Sequence, residues 1–112
     1  MITIKYKNKR LEKICNDENE MQKFFENDRL LVENLKSLLF HFDSLNSIFD
    51  LKKEVYLLGY NLEKLKDSDY YSIRIVPKKN KRKARIILFI IKSDGKEIEI
   101  IDIDKEHKYD KG

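Results

Sequence analysis

The sequence predicts an α+β fold: an N-terminal strand, two helices, and then an antiparallel sheet of three or more strands. Three observations predict it. Apolar residues recur at helical spacing through the first half of the chain, and after Gly59 they alternate with polar residues instead. Pro77 and the run Ser93-Asp94-Gly95-Lys96 then supply breaks between consecutive strands.

Ile2-Thr3-Ile4-Lys5-Tyr6 alternates as a half-buried strand does, and Asn8 follows as an N-cap. Leu11, Ile14, Cys15, Glu18 and Met21 mark a first helix, with Asn16-Asp17-Glu18-Asn19 as a candidate interruption. After Asn27-Asp28, the residues Leu31, Leu35, Leu38, Phe42, Leu45 and Phe49 form one stripe along a second helix, the expected core face. His41 lies off that stripe with no second ligand at metal-binding spacing and reads as a surface histidine. In the second half, Tyr71, Ile73 and Ile75 face one way and Tyr70, Ser72, Arg74 and Val76 the other. Arg85 to Ile91 is apolar on both faces, as a central strand is, and a turn leads into Ile98-Glu99-Ile100. The phase slips at Ile100-Ile101, where a bulge is expected.

The 112 residues suit a single domain, 1–112, and 41% hydrophobic with 39% charged residues is too apolar for a disordered chain and too polar for a membrane protein. The start of the chain has no apolar stretch of signal-peptide length, so a cytoplasmic location is expected. Cys15 is the only cysteine, which excludes an internal disulfide and reads as a buried thiol. Residues 1–59 balance ten basic against ten acidic side chains, so the net charge of +4 arises wholly from residues 60–112. Tyr70 to Ser93 carries eight Lys or Arg and no acid, which fits either a phosphate-rich partner or a solvated basic hairpin.

The segment Leu65 to Ile75, with Leu65-Lys66 and Tyr71-Ser72-Ile73-Arg74, followed by Ala84-Arg85-Ile86-Ile87-Leu88-Phe89, resembles the RelE/ParE toxin superfamily. The opening Tyr6 to Lys13 and the ending Ile98 to Tyr109, with its His and Tyr, are similar to HigB-like members, so the resemblance spans most of the chain in family order. Ala84 and Leu88 depart from it, standing where aromatic residues are common and implying weaker base stacking. The link from Pro77 to Lys83 is also longer and more basic than usual.

The resemblance implies a RelE-like fold and a type II toxin. Such a toxin is a metal-independent endoribonuclease that cuts messenger RNA on the ribosome, inhibits translation and is neutralised by a cognate antitoxin in a hetero-oligomer. No cofactor and no metal are expected. The sequence offers no carboxylate cluster for two metal ions, but it has Arg, Lys, His and Tyr suited to proton transfer and to charge on a phosphorane. If the link centres between Lys79 and Asn80, Arg74 and Arg85 face each other across an antiparallel pair and repel unless an anion lies between them. Arg85 is accordingly assigned to the scissile phosphate, Arg74 to the same or an adjacent one, and His107 or Tyr109 to proton transfer. Each has a plainer alternative: a strand-face charge for the arginines, a polar tail for the other two. Lys64, Lys66, Lys78, Lys79, Lys81, Arg82, Lys83 and Lys105 are assigned to RNA backbone. Two rival functions remain open, a ParE-like gyrase-inhibiting toxin and a nucleic-acid-binding module without a reaction.

Overall fold

The structure, a computed structural model, describes residues 1–51, 62–75 and 84–105. The chain is α+β, with β1 (Thr3–Tyr6), α1 (Lys9–Asn16), α2 (Glu18–Phe24), α3 (Arg29–Ser44), β2 (Leu62–Lys64), β3 (Tyr70–Arg74), β4 (Arg85–Ile90) and β5 (Glu97–Asp104). A 3₁₀ turn, Ile48–Asp50, follows α3.

Among the described residues three α-helices stand where two are expected, because the polar stretch does interrupt the first. Asp17 leaves the helical conformation and both ends α1 and caps α2: its amide donates to the Lys13 carbonyl while its carboxylate accepts from the Asn19 and Glu20 amides. Asn8 caps α1 as expected, accepting the Leu11 amide at 2.9 Å. On α3 the stripe Leu31, Leu35, Leu38, Phe42 and Leu45 is buried, but Phe49 is exposed. The reason is local. The Ser47 hydroxyl donates to the Asp94 carbonyl at 2.7 Å, and the Ile48 amide donates to the Gly95 carbonyl at 2.8 Å. These bonds pull the chain off the helix axis onto the β4–β5 turn, and Ile48 takes the buried place.

The sheet is mixed rather than wholly antiparallel, in the order β1-β5-β4-β3-β2. β2 to β5 are antiparallel neighbours, whereas β1 lies parallel to β5 with Ile4 opposite Ile98 and Tyr6 opposite Ile100. β2 is an edge strand that the sequence reading does not include. The bulge falls where expected: Ile87 pairs with Asp102 but Leu88 pairs with Ile100, so Ile101 is the extra residue. One sheet face packs on the helices through Ile73, Ile86, Leu88, Ile98, Ile100 and Ile103. On the other, Leu65, Ile87 and Ile101 form a second apolar cluster with Tyr70 and Phe89.

Candidate nucleic-acid interface

Alternation along β3, β4 and β5 decides which side chains meet at one end of the sheet. Arg74 is opposite Arg85, and Arg85 is opposite Asp104, so the three lie in a row across neighbouring strands on the face away from the helices. At about 4.8 Å per strand the row spans roughly 10 Å of backbone. The cross-strand arginine pair inferred from the symmetry of the 76–83 link is therefore present.

The two arginines differ in environment. Arg74 is half-buried and makes no ion pair with a described residue. Arg85 has only 1% of its side chain exposed, and its Nε donates to Asp104 Oδ2 at 3.2 Å, with Asp104 at 0%. A guanidinium and a carboxylate removed from water together hold each other's charge, and either one alone would be costly to bury. In this arrangement the Arg85 side chain is buried against Asp104 and is not exposed at the surface. The pair is close to neutral from a distance, so Arg74 supplies the net positive charge of the row.

The rest of that sheet face combines the Leu65, Ile87 and Ile101 cluster with carboxylates. Glu97, Glu99, Asp102 and Asp104 all lie on β5, and Asp69 joins Glu99 in a shallow groove of about 530 Å³ against Tyr70 and Phe89. Lys5 and Lys92 contact Glu97 at 3.2 and 3.6 Å, and the Lys5 hydrogen bond holds that carboxyl below its ordinary range. On this face Arg74 carries positive charge that no described carboxylate pairs.

The other assigned residues divide. Lys64 pairs in register with Tyr71, and Lys66 sits in the β2–β3 turn; both belong to the opposite end of the sheet, so the structure does not bring them to Arg74. Lys105 is exposed and does belong at this end, immediately after Asp104. Its ammonium donates to the Phe24 carbonyl at 2.8 Å and lies 4.3 Å from the Phe24 ring centroid. Lys78, Lys79, Lys81, Arg82, Lys83, His107 and Tyr109 lie outside the described residues. Ile75, Ala84 and Lys105, the described residues next to those segments in the chain, lie at this end of the sheet.

Sequence reasoning missed Asp104 as the partner of Arg85, and it missed the cations Arg10, Lys13 and Lys23 on the first two helices. The three-residue spacing of Arg10 and Lys13 was the available signal for one helix face. No family model, curated protein or solved structure matches the chain. Among the described residues, no helix is long and apolar enough to cross a membrane.

Proposed function

We propose that the protein is a ribosome-dependent messenger RNA endoribonuclease of the RelE/ParE type, a HigB-like cytoplasmic toxin that inhibits translation and is held in check by a cognate antitoxin. The observation that supports this most is the convergence at one sheet end of Arg74, Lys105 and the roots of the basic link and the His/Tyr tail. The α+β class is compatible with this reading, although the additional helix and the mixed sheet order β1-β5-β4-β3-β2 differ from the RelE-like layout expected.

In the reaction, a base takes the proton of a ribose 2′-hydroxyl, whose oxygen attacks the adjacent phosphorus. An acid protonates the departing 5′-oxygen. Charge rises on the phosphorane oxygens, and Arg74 is the described side chain able to answer it. His107 and Tyr109 remain the candidates for proton transfer. Arg85 acts through Asp104, fixing the ends of β4 and β5 beside which the tail leaves.

Arg74→Ala should fold as the parent does, and single-turnover cleavage of a message on programmed ribosomes should fall roughly a hundred- to thousand-fold, by analogy with loss of an oxyanion-hole donor. Inducing the gene should give codon-phased transcript ends, and co-expression of the antitoxin should restore growth. DNA breaks instead would favour the gyrase-inhibiting reading. Burial of Arg85 against Asp104 favours one other reading, a module that binds RNA without cutting it. Wild-type cleavage by a folded Arg74→Ala protein would remove Arg74 from the site, and RNA binding without any cleavage would establish the non-catalytic reading.

A further inference from the structure

A second positive surface lies on the helical side of the molecule. α1 and α2 enclose a groove of about 260 Å³ with Phe24 and Ile14 at its base and Arg10, Lys13, Lys23 and Glu20 around it. Lys105 contacts Phe24, one of the lining residues, through its carbonyl and its ring. Three cations therefore line the groove with a single carboxylate, and a fourth, Lys105, lies against Phe24. Glu20 is shared between Lys13 at 3.8 Å and Lys23 at 4.0 Å, long contacts between well-exposed lysines that leave most of their charge free.

Arg10 and Lys105 are held differently. Neither has a carboxylate partner among the described residues; Arg10 lies 5.6 Å from the Phe24 ring centroid, and Lys105 approaches the same ring and the carbonyl at the end of α2. Ring faces and helix C-terminal carbonyls attract cations without neutralising them. Two like charges directed at one ring repel each other, and an anion placed between them relieves that repulsion. The side chains are partly ordered in advance, so less conformational freedom is lost when the anion arrives.

We propose that this groove docks the phosphodiester backbone of RNA, at a position separate from the sheet end where a scissile phosphate would sit. The inference rests on the reading of the protein as an RNA-directed toxin. Spread cations on long stems suit successive phosphates, and the groove offers no apolar pocket to anchor an acidic peptide beyond the Phe24 and Ile14 floor. Lys105 follows Asp104 in the chain and so connects the groove to the Arg74 row.

The test neutralises three exposed cations together, Arg10→Gln, Lys13→Gln and Lys23→Gln. Binding is measured against salt with two probes, a labelled single-stranded RNA and intact bacterial ribosomes. Three lost phosphate contacts should flatten the slope of log affinity against log salt by about 2 for the single strand. Lys13→Arg with Lys23→Arg should keep the parent slope. A loss with both probes assigns the groove to message, and a loss with ribosomes alone assigns it to structural RNA. Unchanged slopes with both probes in a folded variant overturn the proposal, and weaker binding of polyglutamate by that variant would assign the groove to an acidic protein partner. If the variant loses RNA binding while the parent cleaves nothing, the groove stands and the ribonuclease reading falls.

Discussion

At the scale of single residues, the Arg85–Asp104 pair separates what this arginine does for folding from what it does for function. With both side chains out of water, Arg85→Ala removes the guanidinium from a buried carboxylate and should lower unfolding stability by about 3–5 kcal/mol in urea titrations. Replacing both partners, Arg85→Met with Asp104→Leu, should recover most of that loss, because neither charge is then stranded. Cleavage by the double variant then tests Arg85 apart from folding: near-parental rates would assign the pair to structure alone. The Arg74–Arg85 register follows in the sequence only on the condition that the link centres between Lys79 and Asn80, and the strands do pair these two residues. The sequence hid the burial of Arg85, because the facing of Asp104 depends on the bulge at Ile101. Without that extra residue, Asp102 and Asp104 would turn into the helix-side core; with it, they join Glu97 and Glu99 on the outer face. Cys15 behaves as its apolar neighbours indicate, since burial pushes its thiol up to about 12 from an ordinary 9.0. The folded state then keeps a proton that the unfolded chain releases, so stability is fully present below pH 9 and is lost as pH rises toward about 12. Burial raises the Tyr6 hydroxyl too, which acts in the same direction. The urea midpoint should decline above pH 9, and Cys15→Ala should reduce the decline; a flat profile would mean that the thiol is not buried in solution.

Caps and turns govern the elements, and here local sequence signals were strong but their consequences were only partly readable. Asn8 is a capping residue recognisable on sight, whereas the polar stretch around Asp17 marked a candidate interruption without showing that Asp17 both ends one helix and starts the next. Its carboxylate accepts from two amides in the first turn of this seven-residue helix. Asp17→Ala should therefore lower stability by about 0.5–2 kcal/mol, and Asp17→Asn by less. Thermal melting with helical ellipticity checks both. The β4–β5 turn was legible from Ser93-Asp94-Gly95-Lys96, but not the partner it holds. Gly95 has φ +75°, and a Cβ there would lie 2.5 Å from Ser47 Oγ and 2.8 Å from a Phe49 ring carbon. Gly95→Ala thus combines a left-handed backbone with a clash against the 3₁₀ turn, and a loss of about 1–3 kcal/mol is expected. A change within a few tenths of a kcal/mol would show that the Ser47–Asp94 contact does not fix the end of α3. That contact joins residues 47 positions apart, which periodicity within α3 cannot reveal.

Across the whole molecule, the α+β class followed from the change of hydrophobic period, but the place of β1 did not. Its parallel pairing with β5 joins positions more than ninety residues apart in the chain, and no local pattern encodes it. The charge layout emerges only at this scale. Acids from both ends of β5 collect on one sheet face, and cations from α1, α2 and the end of β5 collect around Phe24. In sequence, the helical cations are balanced by nearby acids, which is why the first half of the chain looked neutral. If one RNA strand crosses both the basic link and the helical groove, the two surfaces neutralise different phosphates and should act independently. Lys81→Ala, Arg82→Ala and Lys83→Ala together should flatten the salt slope for single-stranded RNA by about 2, as the groove variant should. All six substitutions in one chain should then flatten it by about 4, with affinity falling by the product of the separate factors. A combined slope no flatter than that of either triple variant would mean that one strand does not engage both surfaces. In that case the path from the sheet end around Lys105 to the helices would be wrong, even with each surface binding RNA by itself.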